Sequence, residues 1–161
     1  MPRPQKNRIV NNPPLFNQFK PIGIAGRHLE EVLLSLDEYE ALRLADHKGL
    51  SHEEAAEEMD ISRSTFTRLI EQARSRISDF LVSGKILRIN GGNIHFRNNI
   101  IKCFDCGYMF KTDFETHLEV CPECNSKNLE NLAGGFGHGR CCRNNMEGAN
   151  NAKRRQNRSQ I

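Results

Sequence analysis

The chain has no tryptophan, and hydrophobic residues make up only 37% of its 161 positions. One large core is therefore not expected, and the length leaves room for one ordinary domain or two small ones. No stretch is long and apolar enough to span a membrane. The opening MPRPQKNRIVNNPP lacks the apolar core of a signal peptide. A cytoplasmic location is expected, where thiols stay reduced. Catalytic features are missing too. The chain offers no nucleophile with a partnered base, no Gly-rich phosphate loop joining a strand to a helix, and no metal site with a vacant position. A non-enzymatic role is expected.

Charge is unevenly spread, although the net value is only +3. Acids are absent before Glu30, whereas Arg3, Lys6, Arg8, Lys20 and Arg27 lie in that stretch. Residues 30–60 are strongly acidic. From Ile61 to Lys102 the balance turns basic, with Arg63, Arg68, Arg74 and Arg76 outnumbering Glu71 and Asp79 on the same segment. Such a split suits a protein that turns one face toward nucleic acid and the other away.

The most informative stretch is LSHEEAAEEMDISRSTFTRLIEQARSRI, Leu50 to Ile77. Ser51 followed by Glu54 is a capping box, and Ala55, Ala56 and Met59 give the first helix an apolar side. Asp60 falls where the chain must turn sharply, and Asp tolerates the left-handed conformation. Ile61 is an apolar plug and Ser62 a second N-cap. Phe66, Leu69, Ile70, Ala73 and Ile77 recur at offsets of three and four, so they share one helical face. Arg63, Ser64, Thr67, Arg68 and Arg74 fall on or near the opposite face. Short polar side chains and arginines suit base edges and phosphates. The pattern reads as a helix-turn-helix rather than an ordinary two-helix corner.

Upstream, four prolines crowd the first 14 residues, with a fifth at Pro21, and no period survives there. A basic extended arm is expected over residues 1–28, disordered when free. His28 to Leu36 is ambiguous between helix and strand. Asp37 is expected to cap the helix DEYEALRLADHKG, and Gly49 to end it. The recognition helix should run to about Ser83. ILRINGGNIHF then carries a hairpin signal around Asn90-Gly91-Gly92-Asn93.

Cys103-Phe-Asp-Cys106 and Cys121-Pro-Glu-Cys124 are two knuckles with the spacing of a tetrahedral four-thiolate site. Gly107 and Asn125 follow the pairs and let the backbone turn. Tyr108, Met109 and Phe110 read as a strand between knuckles, and Leu129 and Leu132 as part of a last one. Zinc is expected as one structural ion; the knuckles also resemble those of rubredoxin, so iron is the alternative. From residue 133 the chain is rich in Gly and Asn, with Lys153, Arg154, Arg155 and Arg158 near its end, and is expected to be disordered. Cys141 and Cys142, near His138, are weak candidates for a second metal or a redox sensor.

The opening MPRP, FKPIGI at Phe19 to Ile24, LEEVLLSLDEYEALRLADHKGLSHEEAAEEMDISRSTF and GKILRINGGN resemble a prokaryotic family, domain of unknown function 134, also called uncharacterised protein family 0251. The resemblance covers about residues 1–93. It implies DNA binding through a helix-turn-helix similar to region 4 of sigma-70 factors. By position it points to Arg63, Ser64, Thr67 and Arg68 as groove-facing. In sigma factors the position of Arg68 is commonly Gln, and that of Asp60 commonly Gly.

The expected architecture is a mainly α helix-turn-helix domain over residues 29–92, similar to sigma-70 region 4. A small β module of zinc-ribbon or rubredoxin type follows over 93–132, then a disordered tail over 133–161. The expected function is sequence-specific binding of double-stranded DNA in transcriptional regulation. Arg63 and Arg68 would read bases or phosphates, Ser64 and Thr67 would make shorter groove contacts, and Arg74 would lie beside them. Ser51 and Ser62 would present helix N-termini to the backbone. A homodimer or second DNA contact is expected, since one such unit covers few base pairs. The alternatives are a module docking on RNA polymerase or other transcription proteins, and a metal- or redox-responsive regulator.

Overall fold

A computed structural model describes residues 7–136. The chain divides into two compact units, residues 1–94 and 95–161.

The first unit is mixed α/β rather than mainly α. Its elements run β1 (Arg8–Val10), β2 (Gln18–Phe19), β3 (Glu31–Leu34), α1 (Leu36–Leu42), a π-helical turn (Arg43–His47), α2 (His52–Glu58), α3 (Arg63–Ser83) and β4 (Ile86–Ile89). β5 (Ile94–Phe96) spans the boundary. The ambiguous EVLLSL run resolves as strand β3, with Val32 and Leu34 buried and Glu31 and Leu33 exposed. That alternation is the period of a half-buried strand. β3 pairs in parallel with β4, Val32 opposite Leu87 and Leu34 opposite Ile89. Parallel neighbours need a long crossover, and here all three helices form it. β2 completes the sheet on the other side of β4, with Phe19 opposite Leu87.

Two expectations are corrected by this sheet. Asn90-Gly91-Gly92-Asn93 does not close a hairpin between β4 and β5, because β4 has β2 and β3 as its neighbours. Gly91 and Gly92 do take positive φ. Gly91 uses the turn to accept the Leu36 amide through its carbonyl at 3.0 Å. From residue 7 on, the expected free arm is also built into the unit. Val10 is fully buried, the Ile9 amide donates to the Met59 carbonyl, and the Asn11 amide donates to the Glu40 carboxylate, both at 3.0 Å. Local period failed there because these partners lie far along the chain. Residues 1–6, with Arg3 and Lys6, lie outside the described residues.

Helix α1 is capped two residues earlier than expected. Ser35 is its N-cap and the Glu38 carboxylate accepts the Ser35 amide at 3.0 Å; Asp37 is buried in the first turn and pairs with Arg8. The helix then loosens into the π-helical turn, and Gly49 leaves it at φ 74°. Helix α2 begins at Ser51, whose hydroxyl accepts the Glu54 amide at 3.2 Å. Asp60 takes the left-handed conformation, φ 54°, and starts the tight turn into α3. α3 runs 21 residues to a left-handed Gly84. Its Phe66, Leu69 and Ile70 bury against Ala41, Leu44, Ala55, Ala56 and Met59, with Ile61 packed on the cluster, and Ala73 is fully buried as well. Each large apolar side chain so buried contributes roughly 1.5–3 kcal/mol.

The second unit is a three-stranded antiparallel sheet, order β7 (Met109–Thr112), β6 (Asn99–Cys103), β8 (Leu129–Asn131). Its core is small: Phe96, Phe114, Leu132, Ala133 and two cysteines. Asn99, 2% exposed, accepts the Ala133 amide through Oδ1 at 3.0 Å. So little apolar material normally needs a staple. Among the described residues, no helix is long and apolar enough to cross a membrane.

Candidate metal centre and candidate nucleic-acid interface

The two knuckles are near copies of each other. The Gly107 amide donates to the Cys103 carbonyl at 3.0 Å, and the Asn125 amide to the Cys121 carbonyl at 2.9 Å. Cys103 N donates to Tyr108 O at 2.9 Å, and Cys121 N to Ser126 O at 2.8 Å. Gly107 and Asn125 both take positive φ, 75° and 57°. Each loop therefore folds back and aims two sulfurs the same way. Asp105 of the first knuckle holds the second: it accepts from Ser126 Oγ and from Asn128 Nδ2, the latter at 3.0 Å. Those two hydrogen bonds, Ser126 first, hold the Asp105 carboxyl below its usual range.

The sulfurs of Cys103, Cys106, Cys121 and Cys124 all lie within 4.8 Å of one another. Cys103 and Cys124 are 3.6 Å apart, and Cys106 and Cys121 3.7 Å. None is in a disulfide. Metal–sulfur bonds of about 2.3 Å put the sulfurs of a regular tetrahedron about 3.8 Å apart, so the spacing fits one ion. Electrostatics agree. The Cys106 amide, helped by that of Asp105, holds the Cys103 thiol down at about 7. Cys124, although the Ser126 amide favours its thiolate, is pushed up to about 12 by desolvation and its three cysteine neighbours. Four thiolates this close need a cation between them. The four cysteines can hold a metal ion. Cys141, Cys142 and His138 lie outside the described residues, as do the basic residues at 153–158.

In the first unit, Arg63, Ser64 and Arg68 are exposed on the first turns of α3, and Thr67 is half-buried beside them. Residues three and four apart are neighbours on a helix, so Arg63 and Thr67 form one row, Ser64 and Arg68 another. Neither Arg63 nor Arg68 has a hydrogen-bond or ion-pair partner among the described residues. The hydroxyls differ. Ser62 Oγ accepts the Thr65 amide at 3.2 Å and lies 3.2 Å from Ser64 Oγ and 2.8 Å from Thr65 Oγ1. Thr67 Oγ1 lies 3.0 Å from His52 Nδ1. Ser51 is engaged with Glu54 through both hydroxyl and amide. Arg74 is not a free cation: its guanidinium forks onto Asp46 at 2.7 and 3.1 Å. That hydrogen bond, more than simple attraction, holds Asp46 below its usual range. Arg76 and Lys85 are likewise paired, to Glu38 and to Asp79 and Glu30. Charge counting along the sequence missed this pairing, since all these acids but Asp79 come from well before α3: Glu30 just ahead of β3, Glu38 on α1 and Asp46 on the π-helical turn. It also missed His52, whose ring sits edge-on to Phe66 at 5.4 Å.

The fold and sites define a two-part protein: a mixed α/β unit in which a tight turn at Asp60 joins two capped helices, and a four-cysteine β unit. The chain belongs to the family described as Protein of unknown function DUF134, whose model matches residues 1–97. It is similar to the UPF0251 protein of Chloroherpeton thalassium, 46% identical over 82% of this chain and 87% of the relative. The UPF0251 protein of Moorella thermoacetica is 42% identical over 92% of this chain and 97% of its own length. That of Clostridium botulinum is 39% identical over 80% and 82%. No solved structure matches the chain.

Proposed function

We propose that the protein binds double-stranded DNA sequence-specifically as a transcriptional regulator, with α2, the Asp60 turn and α3 as its helix-turn-helix. One observation carries this reading. Arg63 and Arg68 are exposed, without partners among the described residues, and stand on the first two turns of a long helix braced from behind by α1 and α2. Neighbouring arginines on α3 and β4 are neutralised by acids, so the unpaired cationic charge of the corner is concentrated where a recognition helix meets base edges. The four cysteines hold one structural zinc, which supplies the folding free energy that so small a core lacks. Measuring DNA affinity against salt tests the reading. A phosphate-neutralising protein loses affinity steeply as salt rises, and a flat response sinks the proposal.

A specific observation favours a second role for the ribbon. Between His95 and Phe136 there are four Lys/Arg and six Asp/Glu, while Phe104, Tyr108 and Met109 are exposed. An acidic segment with exposed aromatics suits a protein partner better than phosphates, and we assign residues 95–136 docking on RNA polymerase or another transcription protein.

A further inference from the structure

The hydroxyls of the α3 face have partners inside the protein. Ser62, Ser64 and Thr65 satisfy one another, and Thr67 Oγ1 faces His52 Nδ1 at 3.0 Å. Of the polar side chains on the first two turns, Arg63 and Arg68 are left without a hydrogen-bond partner among the described residues. Arginine fits the paired acceptors of guanine in the major groove. Thr67 still has a methyl group. Its hydroxyl is drawn toward α2, so Cγ2 points to another side of Cβ. His52 cannot swing freely, because its ring is also set against Phe66, itself fully buried.

Resting on the DNA reading above, we propose that Arg63 and Arg68 read guanines, and that Thr67 reads a thymine through its methyl group, with His52 as the positioning residue. With its hydroxyl held toward His52, Thr67 is best placed to make apolar contact with the C5 methyl of thymine. Spacing adds a constraint. Arg63 and Thr67 are four residues apart, about 6 Å along the helix, and base pairs step by about 3.4 Å. A guanine and the thymine should therefore lie within about two base steps of each other.

The test uses the full chain, metal-loaded. Sites are first selected from a random duplex pool, and each thymine of the enriched site is then replaced by deoxyuridine, which lacks only the methyl. One replacement should weaken wild-type binding roughly fourfold, the worth of one buried methyl. Thr67→Val keeps the methyl and drops the hydroxyl, so it should retain that fourfold effect; Thr67→Ser should abolish it. His52→Ala should shrink the effect, and adding Thr67→Val should restore it, which a general loss of folding would not do. Equal binding of thymine and uracil by wild type, or loss of the methyl effect in Thr67→Val, overturns the inference while leaving DNA binding standing. An unenriched pool overturns both.

Discussion

Replacing Glu40 should unfasten the first unit more than any surface change. Its side chain is fully buried and accepts three hydrogen bonds: Arg43 Nε at 2.8 Å, Arg43 Nη2 at 2.7 Å and the Asn11 amide at 3.0 Å. That hydrogen bonding is also the main cause of the raised pKa of Arg43. Glu40→Ala leaves a guanidinium with 10% of its side chain exposed and without its counter-ion. Breaking one side of a buried pair costs roughly 3–5 kcal/mol, and an orphaned amide at Asn11 adds about 1–3 kcal/mol. Some relaxation of Arg43 toward water offsets this, so a loss of about 4 kcal/mol is expected. That is a large share of the ~5–15 kcal/mol that holds a domain together. Glu40→Gln keeps the shape and one acceptor and should lose about half as much. Urea unfolding followed by the helical circular dichroism signal measures both. A loss under about 1 kcal/mol for Glu40→Ala, with unchanged denaturant slope, would refute the anchoring of residues 8–11 to α1.

Arg68→Ala should relax base preference by about 1–3 kcal/mol while Arg74→Ala, whose guanidinium is already paired with Asp46, should change affinity little; competition binding on sequence variants separates the two. Removing metal with a chelator should unfold residues 95–136, and metal analysis should return one ion per chain with Cys121→Ser losing it; a colourless protein indicates zinc and a visible thiolate-to-metal band indicates iron. Asp79 is held below its usual range by hydrogen bonds from Lys85 and then Ser83. A depressed folded pKa means that its contribution is present above the ordinary Asp value and is lost as pH falls through the folded one. The protection of amides at the end of α3, their exchange relative to an unstructured chain at the same pH, should therefore be full at neutral pH and fall only in acid, below the ordinary Asp value. Gly84→Ala should destabilise by about 1–2 kcal/mol, because φ is 63° there and a methyl finds nothing within 4 Å to repay the strain; thermal melts show it.

Local chemistry made some of this structure legible in the sequence. Ser51 with Glu54, Asp60 and Ser62 mark both ends of a tight turn through contacts spanning three residues or fewer. The cysteine knuckles with Gly107 and Asn125 are equally local. What depended on distant partners was not legible. β3 and β4 are neighbours although Glu31 pairs with Ile86 across the whole helical run, so the NGGN turn looked like a hairpin. Residues 8–11 gave no period because Glu40 and Met59 hold them. Arg74 looked free because Asp46, its partner, sits 28 positions earlier. Nothing local in the sequence marks His52; only packing against α3 brings it to Thr67.

Selection of binding sites from a random duplex pool, at near-physiological salt and with metal retained, tests the proposed function most directly. The expected result is an enriched motif containing guanine and thymine within about two steps, lost or broadened in Arg68→Ala. A two-fold repeat in it would also establish a dimer. No enrichment by a folded, metal-loaded protein would contradict sequence-specific recognition and leave docking on transcription proteins as the function of both units.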